Sequence, residues 1–227
     1  SDGIISRIMR FVNKAVFKNA SAVIDLSTEM KEFIAKNRAI ALEKIYVIPN
    51  WYEDRTNLEC EEENRFSGLV DGRLVISYFG NMGIAQDMDT VIETIISLKT
   101  DPDVCFLLAG HGAKFEYIKE KLESENVKNA YMFEFLKGKD YIDALRISDC
   151  AIVSLEKGLT GLCVPSKTYS YMMQGMALIV IMNESYIVRD VRAGAGIFAD
   201  NGDAKYISER IKSLKNDSET LQNMKAK

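Results

Sequence analysis

Apolar residues change their spacing several times along the chain, and each change marks an element. In residues 4–18, Ile4, Ile5, Ile8, Phe11, Val12, Val16 and Phe17 recur at helical spacing among Arg7, Arg10, Lys14 and Lys18, which predicts an amphipathic helix. Residues 21–26 (Ser-Ala-Val-Ile-Asp-Leu) predict a short buried strand, and Ser27 and Thr28 can cap a helix carrying Met30, Phe33 and Ile34. Residues 45–48 predict a strand ended by Pro49-Asn50. After Gly72 the alternation becomes regular. Strand 74–79 precedes a helix with Met88, Val91, Ile92, Ile95 and Ile96, and strand 104–109 precedes one with Phe115, Ile118 and Leu122. Strand 130–133 precedes a helix with Tyr141, Ala144, Leu145 and Ile147; strand 150–155, a helix begun by Ser166 and strand 178–182 follow. Helices around 186–191 and 206–214 close the series. Apolar strands alternating with amphipathic helices predict the α/β class: a parallel sheet with helices on both faces.

Between these halves the pattern lapses. Residues 53–71 hold Glu53, Asp54, Glu59, Glu61, Glu62, Glu63 and Asp71 against Arg55 and Arg65, which reads as a solvated acidic linker over 51–72. The chain is therefore divided into 1–50, the linker 51–72, and 73–227. It has no initiator methionine, and residues 218–227 stop inside a helical pattern without a cap, so it is read as a piece of a longer protein.

Composition narrows the function classes. A net charge of −4 without a long basic stripe gives no support for nucleic acid as a partner. No apolar run of about 18 residues exists that would span a membrane. The basic amphipathic helix at 4–18 could make a peripheral contact with an anionic membrane, although docking on a protein core is the preferred reading. Cys60, Cys105, Cys150 and Cys163 show no metal-binding spacing, and with one histidine no metal site is expected. Cys105 and Cys150 fall in predicted strands, where a thiol acts as a small hydrophobe, so a reduced, cytoplasmic protein is expected.

Candidate chemistry sits where predicted strands run into helices, because ligands of open parallel sheets bind beyond the carboxyl ends of the strands. Three such turns carry unusual residues: Gly80-Asn81-Met82-Gly83-Ile84-Ala85-Gln86, Gly110-His111-Gly112, and Val164-Pro165-Ser166-Lys167-Thr168. In the third, Pro165 ends a loop, Ser166 is a good N-cap and Gly175 closes a helix of two to three turns. A helix start with free N–H groups and a lysine beside them attracts anions, so a phosphate-bearing ligand is expected along this edge. Any one glycine pair by itself reads as a turn requirement. His111 reads as an exposed loop histidine, Asp149 as a capping or packing residue, and Met172 and Met173 as core filler. A dinucleotide oxidoreductase is disfavoured, since the first turn is Gly-x-x-Gly and no ribose-binding acid follows Ala109. No P-loop sequence occurs.

The order Ile-Pro-Asn at 48–50, Tyr-Phe-Gly-Asn-Met-Gly-Ile-Ala-Gln at 78–86, Leu-Ala-Gly-His-Gly at 108–112, Val-Pro-Ser-Lys-Thr-Tyr at 164–169 and Gly175 resembles the retaining glycosyltransferases of family 4. These have the GT-B fold of two Rossmann-like halves. Within them the chain is similar to bacterial enzymes of surface-polysaccharide assembly, especially transferases of N-acetylated amino sugars. The resemblance implies that 73–227 is the nucleotide-sugar-binding half and 1–50 a remnant of the acceptor-binding half. It implies a UDP-sugar (preferred) or GDP-sugar as donor substrate, no further cofactor, and a glycan or lipid-linked acceptor of capsule, O-antigen or exopolysaccharide synthesis. Location would be the cytoplasm or the inner face of the membrane.

By the same resemblance, Gly80 and Gly83 let backbone approach the diphosphate, with Asn81 and Gln86 where relatives carry an arginine and a lysine. Gly110 and Gly112 match the turn near the nucleoside, and Phe135 and Leu136 the segment that meets the base. Ser166, Lys167 and Thr168 match the helix start at the diphosphate. The family's two glutamates fall at Leu162 and Ser170, the second of which would leave one neutral hydrogen bond to the ribose. No catalytic residue is assigned. The isolated chain is expected to bind nucleotide weakly and to transfer no sugar. Two alternatives remain: a degenerate, non-catalytic partner subunit, motivated by Leu162, Ser170, Asn81 and Gln86, and more distantly an NAD-dependent oxidoreductase domain.

Overall fold

The computed structural model describes residues 3–38, 40–51, 64–159, 161–183 and 185–227. The chain forms two compact units, one of residues 1–51 with 159–164 and one of residues 52–158 with 165–227.

The smaller unit holds helix α1 (Ile4–Asn19), strand β1 (Val23–Asp25), helix α2 (Thr28–Arg38) and strand β2 (Ile45–Val47). The Ser27 hydroxyl accepts from the N–H of Met30 at 3.2 Å and starts α2, as its position suggests. The strands pair in parallel with Ile24 opposite Tyr46, and both of those side chains are exposed. Expectation and structure part here: the strand foreseen as buried buries Asp25 and leaves Ile24 in solvent. A two-stranded ribbon has too few partners to cover both of its faces.

The larger unit begins with helix α3 (Ser67–Val70) and strand β3 (Leu74–Asn81). Helix α4 (Met88–Ser97), β4 (Val104–His111), α5 (Phe115–Ser124), β5 (Ala130–Phe133), α6 (Gly138–Arg146) and β6 (Cys150–Ser154) follow. Then come α7 (Lys167–Met173), β7 (Ala177–Ile181), α8 (Tyr186–Asp190), β8 (Gly196–Ala199), α9 (Ala204–Leu214) and α10 (Ser218–Lys225). The six strands form one parallel sheet in the order β5-β4-β3-β6-β7-β8. Alternate residues feed opposite faces, as the pleat requires. Ile76, Tyr78, Phe106, Leu108, Ile152 and Ile179 pack with α4, α5, α9 and α10. Val75, Phe79, Leu107, Val153 and Val180, buried as well, belong to the other face. Burial on both faces is why these strands read as continuous apolar runs. The predicted α/β fold class holds.

The acidic linker foreseen over 51–72 does not extend that far. Residues 52–63, with Cys60, lie outside the described residues, but from Asn64 onward the chain is folded. Phe66 is buried with its ring 5.3 Å from that of Phe133, Val70 is buried, and Arg65 pairs with Asp140 at 2.7 Å. The helical spacing of Phe66, Leu69 and Val70 was masked by the surrounding charge. Cys105 and Cys150 are buried in β4 and β6 as expected. Asp149 packs, accepting from the N–H of Val75 and pairing with Lys225, each at 3.1 Å. Among the described residues no helix is long and apolar enough to cross a membrane.

The strand order reverses between β3 and β6, which places the switch point of the sheet there. These two strands pair only at Ile76 with Cys150 and at Ser77 with Ala151. Beyond Ser77, the Tyr171 hydroxyl of α7 accepts from the N–H of Phe79 at 2.8 Å and donates to its C=O at 3.0 Å. Helix α7 is thereby seated where the strands part.

Candidate functional site

Strands β3 and β4 stay paired to their last residues, Gly80 opposite Gly110 and Asn81 opposite His111. A Cβ on Gly110 would lie 1.8 Å from the Gly80 carbonyl oxygen, so the register excludes any side chain there. On Gly112 it would lie 2.5 Å from Asn81 Oδ1 and 2.7 Å from the Met82 carbonyl. The same turns are laced by the N–H of Met82 donating to His111 and the N–H of Lys114 donating to Met82. Gln86 accepts from the N–H of Gly83 at 3.1 Å. Gly110 and Gly112 thus close the packing of two turns, and the Gln86 side-chain oxygen braces one of them. Gly80 differs. Its φ is +129°, and the nearest atom to a Cβ built there is Lys167 Nζ at 3.8 Å.

Lys167 opens α7 and reaches back to β3. Its Nζ is buried, makes no hydrogen bond and sits 3.5 Å from the centroid of the Tyr78 ring. The residue as a whole is only half-buried, so its exposed area lies away from Nζ. Burial lowers the ammonium to about 7. Relative to an ordinary lysine, that displacement disfavours the charged form by about 4–5 kcal/mol. A cation–π contact returns about 1–2 kcal/mol of this, and no counter-charge faces the group among the described residues.

The rest of the α7 start corrects the expectation of a free helix terminus. Ser166 occupies the N-cap position with no side-chain cap bond. The N–H of Thr168 donates to Pro165 and that of Tyr169 to Ser166, both at 3.2 Å, so a tight first turn uses these donors. Thr168 is buried with its hydroxyl unpartnered. Ser170 is 3% exposed, donates to the Lys167 carbonyl at 2.7 Å and lies 3.2 Å from the Tyr141 hydroxyl. Its hydroxyl is therefore turned inward, onto the Lys167 carbonyl and Tyr141. Leu162 is exposed in the smaller unit.

On the other flank, the His111 ring stands edge-on to Phe135 at 5.5 Å, with Lys137 Nζ 5.9 Å from the same ring. Phe135 is exposed and Leu136 half-buried, in the turn after β5. The structure thus joins Gly80 with Lys167, Asn81 with Gly83 and Gly112, His111 with Phe135, and Ser170 with Tyr141. Tyr78 and Tyr141 went unforeseen. The signal for Tyr78 was present, since residues two apart on a strand share a face and Tyr78 precedes Gly80 by two. Tyr141 approaches Ser170 only through the packing of α6 against α7.

At the opposite, amino edge of the sheet a groove of about 520 Å³ is lined by Asp71, Arg73, Lys99, Asp101, Asp103 and Lys128 among others. Its charges are largely paired: Lys99 with Glu125 at 3.0 Å, and Lys215 with Asp101 and Asp103 at 2.7 and 2.9 Å. The unpartnered buried charge at the carboxyl edge marks the better candidate site.

Comparison with known proteins adds an independent line. Residues 60–227 match the family described as Glycosyl transferases group 1. The chain is 24% identical to the probable glycosyltransferase WbjE of Pseudomonas aeruginosa, over 86% of this chain and 49% of that protein. It is also 24% identical to the "Putative colanic acid biosynthesis glycosyl transferase WcaI" of Escherichia coli (strain K12), over 81% of this chain and 46% of that one. The chain spans about half the length of these curated relatives. Among solved structures, HepE of Anabaena in complex with UDP-glucose shares the fold with a TM-score of 0.74 at 16% identity, over 96% of this chain and 61% of that one.

Proposed function

The chain belongs to the glycosyl transferases group 1 family, and from that premise we propose that its larger unit is the donor half of a GT-B glycosyltransferase. The donor is a nucleotide sugar, UDP-linked by preference, carrying an N-acetylated amino sugar. The acceptor is a glycan or lipid-linked glycan of bacterial surface polysaccharide, and transfer retains the configuration at the anomeric carbon. The smaller unit is the end of an acceptor-binding half, and the apolar face of α1 docks on the remainder of that half. Arg7, Arg10, Lys14 and Lys18, on one stripe of α1, face an anionic membrane.

The observation that carries this reading is Lys167 Nζ, buried without a partner beside Gly80 at the switch point. A diphosphate seated there supplies the missing counter-charge. During transfer, the same ammonium stabilises the charge growing on the departing nucleoside diphosphate. The neighbour solved with UDP-glucose supports the choice of base, and the polysaccharide relatives support the setting.

Calorimetric titration of this chain with UDP, GDP and NAD in parallel tests the proposal. Selective UDP binding is expected, with a dissociation constant near millimolar, about −4 kcal/mol. Lys167→Met should weaken it at least tenfold, the worth of a charge-assisted hydrogen bond. Unchanged UDP affinity in that variant would overturn the site. A second reading, a non-catalytic partner subunit, is favoured by the inward-turned Ser170 hydroxyl where the family carries a carboxylate. Sugar transfer by a protein that contains this chain with its acceptor half would exclude it.

A further inference from the structure

Among the described residues, Lys167 Nζ is a cation site with no anion beside it. From β3 it is faced by Tyr78 and Gly80. On β6, Ser154 carries a buried hydroxyl without a hydrogen-bond partner, and the Tyr78 hydroxyl donates to the Asn81 carbonyl at 2.6 Å. On α7 itself stand Thr168, Ser170 and Tyr171, and Tyr141 of α6 reaches Ser170. None of these is acidic. Burial pushes the Tyr78 and Tyr171 phenols up, so neither provides a negative charge near neutral pH. Burial alone displaces the Lys167 ammonium, to about 7, so the empty site at pH 8 holds mostly the neutral amine. An anion brought against this amine shifts the balance back toward the ammonium.

We propose that binding of an anionic ligand against Gly80 is coupled to uptake of one proton by Lys167, and that Tyr78 is the positioning residue that holds the resulting ammonium in the site. The proton comes from solvent, the amine lone pair takes it, and no bond forms to the ligand. The proposal rests on the diphosphate reading given above. It adds that affinity falls as the solution becomes more basic, because the proton must be supplied before the ion pair can form.

UDP-glucose is the probe, since its diphosphate is esterified at both ends and lacks the terminal phosphate ionisation found at about pH 6, so its charge stays constant from about pH 6 to about pH 8.5. Over that range its dissociation constant should rise about 30-fold, as linkage to a group at about 7 requires. Calorimetry at pH 8 in buffers of different ionisation heat should register about 0.9 proton taken up. In Lys167→Met, binding should be weaker and independent of pH. Tyr78→Phe should keep the coupling, whereas Tyr78→Leu should move its midpoint down by about one pH unit, as loss of a cation–π contact predicts. An unmoved midpoint in Tyr78→Leu would remove Tyr78 from the account.

A second measurement needs no ligand. NMR titration of the lysine-labelled chain should show one signal, assigned by its loss in Lys167→Met, that titrates near neutrality, well apart from the other lysines. If that signal titrates with the rest, the coupling is overturned. If UDP-glucose binds with a flat pH profile and no proton uptake, the coupling fails while the diphosphate site stands. If Lys167 titrates near neutrality and UDP-glucose binds at no pH, both are overturned.

Discussion

Helix α1 and strand β3 are both rich in isoleucine, valine and phenylalanine, yet the structure treats them oppositely. Strand β3 buries Val75, Ile76, Tyr78 and Phe79 almost completely. Helix α1 buries nothing: Ile5 is 78% exposed and Phe11 75%. Apolar composition is alike, so what separates them is the supply of partners. Strand β3 is a central strand with a neighbour on each edge and helices over the sheet, whereas α1 shares its unit, among the described residues, with a two-stranded ribbon, α2 and one short 3-10 turn. A hydrophobic face contributes stability only when something covers it, at about 25 cal/mol per Å² removed from water.

The largest test of this contrast is Gly110→Val. Its Cβ would fall 1.8 Å from the Gly80 carbonyl, so β3 and β4 cannot keep their register. A loss of more than about 4 kcal/mol in urea unfolding is expected, the range reserved for severe core disruption. A cooperative transition near the parent midpoint would show that this edge is far softer than the packing implies. The same clash makes Gly110 a poor probe of nucleotide binding, since its substitution disturbs the sheet first.

Smaller, and of opposite sign, is Lys167→Met. With a folded value near 7 and an ordinary value of 10.5, the parent unit carries the penalty in full below about pH 7. Between those values the unfolded chain binds the extra proton, so parent stability rises with pH, by about 1.4 kcal/mol per unit at most. The methionine variant should therefore be more stable than the parent at pH 6, with the gap closing toward pH 10. Urea unfolding of both at the two pH values decides the matter, and a gap that ignores pH would contradict an uncompensated buried ammonium.

Phe11→Ser in α1 should have the least effect, within about ±0.5 kcal/mol on the unfolding of this chain. Amide exchange sharpens the same point: α1 amides should exchange far faster than those of β3 and β4. Strong protection of α1 would mean that its face is covered after all, for instance by a second copy.

The turns at 80–86, 108–112 and 164–169 were legible because glycine, proline and a lone lysine interrupt apolar periodicity where parallel sheets place ligands. Their individual roles were less so. Gly110 and Gly112 were matched by resemblance to a turn near the nucleoside; the structure adds that the neighbouring backbone leaves no room for a Cβ at either, and that Gln86 braces its own turn. Nothing in the sequence signals that α6 brings Tyr141 to Ser170 or that the Ser170 hydroxyl donates to the Lys167 carbonyl. Phe66 and Val70 were lost in a charge run, although their spacing already announced a helix.

The sequence by itself determined the alternation of strands and helices, hence the parallel sheet, because burial on both faces imposes long apolar runs and crossovers impose amphipathic helices. It also determined where the carboxyl ends of the strands would lie, near Asn81, His111 and Ser154 among others. Only the tertiary structure decided that β3 and β6 part after Ser77, that Tyr171 fills the gap, and that Lys167 Nζ comes to rest buried over Tyr78. Such facts depend on residues about ninety positions apart meeting at one point. A side chain's electrostatic state follows from what surrounds it in space, and periodicity along a chain carries no record of that.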